Sequence, residues 1–260
     1  MPEQAQFINR SSEMEERSWW DLWNSSFRSE DNRDDNATEL FTHVLGVFRS
    51  ITNGRSCRVL EVACGTGTLS RHLSFSSYHG LDLSSAAIDI ARQKAGLMTL
   101  APGGKAPVYE AADFHDWILP AEPFDVVLCI DALSCFRDQA FVMRKIAQSV
   151  RAGGYILLTS VNPFVYHRIR RADGGRFQNG PVSHWPTRRE LHKLIDQAEL
   201  RLQRSYTIMP RGNSGILRII NSWRLNRMLG RSGATAFRQL KEQVGLGQYR
   251  VVLARKANQS

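Results

Sequence analysis

The stretch Arg58-Val59-Leu60-Glu61-Val62-Ala63-Cys64-Gly65-Thr66-Gly67 constrains this chain more than any other. Val59, Leu60, Val62 and Ala63 are β-prone and run straight into two glycines, with helical patterning expected over Thr68–Leu73. A strand with so little polar alternation belongs in a parallel sheet covered by helices on both faces. Gly65 and Gly67 can take backbone angles closed to other residues, and they let a ligand lie where a Cβ would collide. A helix starting at this turn would present unpaired N–H groups and its positive dipole end to an anionic group.

The rest of the chain repeats that alternation. Strands are expected at Tyr78–Ser84, Val108–Phe114, Phe124–Asp131, Tyr155–Val161, Leu200–Ile208 and Gly247–Ala254. Between them, helical spacing of apolar residues runs over Glu39–Ser50, Ser85–Ala95, 137–151 and Arg188–Ala198. Ser84 reads as the cap of the second of these, and Ala152-Gly153-Gly154 as a glycine stop for the third. Thr187 with Glu190 three residues on reads as a capping box for the fourth. Asp82 follows Gly65 by 17 residues, at the tip of the neighbouring strand, where a carboxylate can accept hydrogen bonds from both hydroxyls of a ribose.

A dinucleotide fingerprint fits poorly. Ser70 stands where the third glycine of G-x-G-x-x-G would be, and Glu61 sits inside the strand. The same two departures weigh against an NAD-dependent oxidoreductase. Glu-x-x-Cys-Gly-Thr-Gly instead resembles the first motif of class I S-adenosylmethionine-dependent methyltransferases. Phe124-Asp125-Val126-Val127 followed by Ala132-Leu133-Ser134-Cys135-Phe136 resembles the fourth, and Arg-Ala-Gly-Gly-Tyr-Ile-Leu-Leu (residues 151–158) a further hallmark. The resemblance covers residues 56–161. It implies an α/β fold: a doubly wound, mostly parallel seven-stranded sheet with the last strand antiparallel, a Rossmann-like arrangement. It also implies that S-adenosylmethionine is bound and leaves as S-adenosylhomocysteine. Ala63, Gly65 and Gly67 would pass under the methionine part, Glu61 would support that loop and the cofactor's ammonium through water or backbone, Asp82 and Leu83 would meet the ribose, and Asp113 and Phe114 the adenine. Ile130 and Asp131 would lie near the transferable methyl. No metal is implied.

Residues 1–50 are expected to be an N-terminal helical lid, with Trp19, Trp20 and Trp23 either stapling a helix to the core or closing over a pocket. Residues 51–260 are expected to form the methyltransferase domain, with substrate or lid insertions at 162–186 and 209–246. A sulfonium methyl is already electrophilic, so the protein need only align a nucleophile and remove a proton where required. His184, in the Pro-rich 162–186 segment beside Trp185, is the first candidate for that base, and Asp131 is the second. Tyr166 and His167 rank lower, and His115 reads as incidental.

Charge is unevenly placed. The net charge of +9 divides into −5 for residues 1–50, +3 for 51–200 and +11 for 201–260, the last with Glu242 as its single acid. A basic C-terminal quarter is either a solvated face or a surface for an anionic partner. Its apolar stripe (Ile216, Leu217, Ile219, Ile220, Trp223), flanked by Arg218 and Arg224, suggests two short helices. These either pack over the site or make peripheral contact with a membrane. The acceptor is therefore expected to be a small or medium-sized metabolite methylated at oxygen or nitrogen. The alternatives are a saccharide or lipid-linked precursor at a membrane surface and, from another class, a nucleic acid. No aromatic-basic interleaving of an RNA-binding module favours the last. Four cysteines without C-x-x-C spacing, no secretory leader and no membrane span point to a cytoplasmic protein.

Overall fold

The computed structural model describes residues 16–18, 20–21, 35–98, 105–168, 183–212 and 214–258. Trp19, Trp23, the loop at 101–104 and most of segment 162–186 lie outside the described residues. Seven strands form a sheet in the order β3-β2-β1-β4-β5-β7-β6: β1 (Cys57–Val62), β2 (Phe75–Asp82), β3 (Val108–Ala111), β4 (Phe124–Ile130), β5 (Val150–Val161), β6 (Leu200–Pro210) and β7 (Gly247–Lys256). The helices are α1 (Asp35–Thr52), α2 (Ser85–Gly96), α3 (Gln139–Ser149), α4 (Pro163–Tyr166), α5 (Arg188–Gln197), α6 (Gly215–Ile220), α7 (Trp223–Met228) and α8 (Gly230–Gln243). The chain divides into two compact units, Met1–Leu128 and Cys129–Ser260.

In the first unit β1 pairs in parallel with β2 and with β4, and β2 pairs in parallel with β3. The apolar run that the sequence showed is the reason: Val59, Leu60 and Val62 are all wholly buried. Leu40, Val44 and Phe48 of α1 recur at one helical face and are buried too. That helix continues past residue 50, so a boundary there cuts through an unbroken element.

In the second unit β7 runs antiparallel to both β5 and β6, as expected for the last strand. Ser84 and Thr187 cap their helices as predicted, and Thr187 with Glu190 forms both halves of the capping box. Three expectations fail. No α-helix follows the glycine turn; residues 70–72 make a single 3-10 turn, because Ser70 Oγ bonds back to the Gly67 carbonyl and to Tyr109. The dipole argument for that turn therefore falls away. Gly153 and Gly154 do not stop a helix; α3 ends at Ser149 and β5 runs through both glycines. The insertion at 209–246 holds three helices and not two, since the Ser222 side chain starts α7 and Gly230, at φ +64°, opens α8.

Candidate functional site

At the end of β1 the backbone reverses through three left-handed residues, Ala63 (φ +57°), Gly65 (φ +53°) and Gly67 (φ +69°). The two glycines serve different ends. A Cβ on Gly67 would lie 2.5 Å from the Tyr109 hydroxyl, so this glycine makes room for the protein's own side chain. A Cβ on Gly65 would meet nothing within 4 Å, so bare backbone there borders open space. Asp82 fixes that backbone. Its Oδ2 accepts from the Gly65 N–H at 2.7 Å and its Oδ1 from the Ser84 N–H at 2.9 Å. Each carboxylate oxygen keeps further accepting capacity. Burial raises the Asp82 carboxyl above its ordinary range, with the two N–H groups opposing the shift.

Glu61 is 4% exposed and receives the Tyr78 hydroxyl. Burial pushes its carboxyl up to about 8, so at neutral pH it is largely a neutral acid that the tyrosine holds in place. Asp113, just past β3, accepts from the His115 N–H at 2.8 Å and from its ring Nδ1 at 2.9 Å. Burial alone would raise Asp113; the bonds from His115 reverse this and hold it below the usual range. His115, which the sequence marked as incidental, thus orients the carboxylate beside it. Phe114 is 3% exposed and stacks on Trp117 at 6.2 Å, so its ring belongs to the packing. Leu83 is partly exposed between Asp82 and the α2 cap.

Sequence reasoning missed Asp21. Its carboxylate accepts from the Ser84 hydroxyl at 2.7 Å, the Ala86 N–H at 3.1 Å and the Ser85 hydroxyl at 3.3 Å, closing the N-terminus of α2. The only signal was an acid inside the tryptophan-rich cluster. It ties the N-terminal segment to the loop that carries Asp82.

In the second unit, Ile130 ends β4 and is buried, and Asp131 follows at φ +56°. The Asp131 N–H donates to Thr159 Oγ1 at 2.9 Å. Its side chain is partly exposed and burial alone pushes its carboxyl up to about 7. Segment 183–187 is fastened to the turn after β4. Ser183 and His184 both donate backbone N–H to the Ser134 carbonyl, and Gln139 Nε2 reaches the His184 carbonyl at 2.8 Å. The structure therefore ties the His184 backbone to Ser134, which follows Asp131 by three residues in the chain. The His184 ring is 56% exposed and its Nε2 lies 3.0 Å from Glu190 Oε2. The neighbouring Trp185 indole packs on Tyr166 at 4.2 Å. Glu190 falls to about 2, chiefly through the Thr187 N–H and then His184.

Comparison with known proteins gives a family. A methyltransferase-domain model matches residues 27–205, which include the glycine turn, both strand-end carboxylates and Asp131. A phthiotriol/phenolphthiotriol dimycocerosates methyltransferase of Mycobacterium ulcerans is 34% identical over 110 residues, 41% of this chain and 38% of that protein. A ubiquinone biosynthesis O-methyltransferase of Aromatoleum aromaticum is 33% identical over 40% of this chain and 44% of its own. The match thus spans less than half the length of these relatives. Among solved structures, magnesium protoporphyrin IX methyltransferase from Synechocystis, crystallised with S-adenosylmethionine, superposes with a TM-score of 0.62 at 13% identity. That superposition covers 94% of this chain and 97% of the other, a likeness of fold.

Proposed function

We propose, for a chain that belongs to the methyltransferase-domain family, that it transfers a methyl group from S-adenosylmethionine to an oxygen or nitrogen of a small-molecule acceptor. One observation carries the reading. The glycine turn leaves open space where a Gly65 Cβ would stand, and a half-buried carboxylate at the next strand end fastens that turn. These residues fit a nucleoside with a cationic sulfonium. Gly65, with Ala63 and Gly67 shaping the turn, would run beneath the methionine part. Asp82 would accept from the ribose with Leu83 beside it, and Asp113 from the adenine amine next to the Phe114 backbone. Glu61 would support the turn from below.

Bound there, the sulfonium supplies an electrophilic methyl. This chain's share of the work is to hold the acceptor and take its proton. Asp131 is the better base: its carboxyl sits near 7 and is partly exposed, with burial as the cause of the shift. His184, its ring already engaged by Glu190, would orient the acceptor. This reverses the order the sequence suggested. The nucleic-acid alternative is dropped, because the family match accounts for the glycine turn and the strand-end acids, leaving that alternative only the basic charge.

The helical insertion of the second unit offers a separate surface for peripheral membrane contact. Trp223 is 66% exposed and Met228 85%, with Ile216 and Ile219 also exposed among Arg218, Arg224 and Arg227. Apolar side chains in the open beside arginines suit the face of an anionic bilayer. No helix among the described residues is long and apolar enough to cross one. Flotation with liposomes that do or do not contain anionic lipid tests the contact; equal recovery would remove it.

The methyl-donor site is tested by calorimetry with S-adenosylhomocysteine on wild type and Asp82→Asn. Loss of charge-assisted bonds predicts at least about a tenfold weaker affinity. Equal affinities in two folded proteins would remove Asp82 from the nucleoside site.

A further inference from the structure

The second unit holds a cavity of about 300 Å³ between the start of α5, β6, β7 and the end of α8. Arg188 and Arg250 line it, with Ser205, Tyr206, Thr207 and Glu242. Arg250 is 8% exposed, and no described residue forms an ion pair or side-chain hydrogen bond with it. Its charged neighbour is a second cation: burial first, then the Arg188 charge, lower the Arg250 pKa. Ser205 Oγ is buried and has no hydrogen-bond partner. His192, on α5, is in the same condition at Nε2, and burial followed by Arg188 and Arg250 lowers its pKa.

The groups that could quench this positive charge are committed elsewhere. Glu242 is the one carboxylate in the lining, and its Oε1 lies 3.1 Å from Arg238 Nε. The Thr207 hydroxyl donates to the Glu242 carbonyl and accepts from the Gly247 N–H. A buried guanidinium with a second guanidinium lining the same cavity, and with no ion pair of its own among the described residues, is costly unless something of opposite charge joins it. Two forked donors and a free hydroxyl around one space are what a tetrahedral dianion asks for. The volume exceeds that of a bare phosphate and leaves room for an organic portion.

We propose that this cavity binds the phosphate group of an organic phosphate, with Arg250 and Arg188 flanking it and Ser205 donating its hydroxyl. The inference stands apart from methyl transfer, since every residue it uses belongs to the second unit and none is assigned to donor binding or proton removal. The phosphate could arrive on a soluble ester or on a lipid headgroup, and the chemistry that recognises it is the same.

The test uses the full chain with no methyl donor present, so its outcome is independent of the methyl-transfer reading. Thermal melting and calorimetry with inorganic phosphate, against chloride at matched ionic strength, should show a phosphate-specific rise in melting temperature and saturable binding. Arg188→Ala changes an exposed side chain and should fold. It should weaken binding by about tenfold or more, the worth of a charge-assisted bond. Arg250→Met should raise the melting temperature in phosphate-free buffer, by removing a repelled buried charge, and abolish the phosphate increment. Glycerol 3-phosphate and phosphatidylcholine vesicles containing phosphatidic acid then separate the sources. Arg188-dependent binding to either one upholds the site and names the carrier. A wild-type response to phosphate no larger than to chloride, an equal response to acetate, or an undiminished response in Arg188→Ala would overturn it.

Discussion

The two units enclose titratable groups of opposite kind. In the first, Glu61 and Asp82 are enclosed near the glycine turn, and burial drives both carboxyls upward. In the second, Arg250 and Lys241 are enclosed and His192 is half-buried, and burial drives each of them downward. The physics is the same: water lost from a charged group favours its neutral form. The partners differ. The first unit answers its acids with Tyr78 and with the N–H groups of Gly65 and Ser84, whereas in the second Lys241 reaches Asn221 but Arg250 has only Arg188 beside it. Buried acids with spare lone pairs suit a cationic ligand, and buried bases without acids suit an anionic one. Asp131 is the exception, an acid in the basic unit, and it is the proposed base.

The sharpest way to break that contrast is Glu61→Gln. Glu61 has its folded pKa raised from 4.5 to about 8, so the folded state binds a proton more tightly than the unfolded chain. Its contribution to stability is complete below 4.5 and is lost as pH rises through about 8. Over that window the loss amounts to up to about 5 kcal/mol at 1.36 kcal/mol per pKa unit. A glutamine keeps an acceptor for Tyr78 and has no proton to lose. Urea unfolding at the two ends of the window should therefore give a flatter pH profile for the variant, which becomes the more stable protein on the alkaline side. Parallel profiles would mean that Glu61 is not enclosed as an acid.

Asp131→Asn comes next. A base near 7 gives turnover a rising limb around neutral pH, and its removal costs about a hundredfold in rate and erases the limb. His184→Ala should lower turnover less and leave the limb in place, because a ring already bound to Glu190 is an orienting group. If the limb instead disappears with His184 and survives the loss of Asp131, the two roles exchange.

Local chemistry was the legible part of both units. The apolar run of β1, the Ser84 cap and the Thr187–Glu190 box each depend on residues within a few positions of one another, and all three form. Features that depend on distant side chains were not legible. Ser70 meets Tyr109 across 39 residues, and that contact replaces the expected helix after the glycine turn with a tight 3-10 turn. Asp21 meets Ser84 across 63 residues. The paired arginines of the second unit were hidden for the same reason. Arg188 and Arg250 each looked like one more surface cation until β7 and α5 placed both on one cavity. The net charge of the C-terminal quarter showed that cations were in excess, but not which of them lacked a partner.

The two glycines give the finest cut, because one makes room for Tyr109 and the other borders the open space proposed for the methyl donor. Gly67→Ala combines a left-handed φ of +69° with a Cβ 2.5 Å from the Tyr109 hydroxyl. Strain and overpacking together predict a loss of about 2 kcal/mol in stability. Tyr109→Phe removes the oxygen that the new methyl would strike, so the double variant should recover part of that loss, a coupling readable in a double-mutant cycle. Gly65→Ala meets no atom within 4 Å and carries only the backbone penalty at φ +53°, about 1 kcal/mol. Its methyl would instead enter the space assigned to the methyl donor. S-adenosylhomocysteine affinity should therefore fall more for Gly65→Ala than stability does, while Gly67→Ala shows the reverse. If both variants lose stability and affinity in the same proportion, the turn is a single structural unit and the open space beside Gly65 is not where the donor lies.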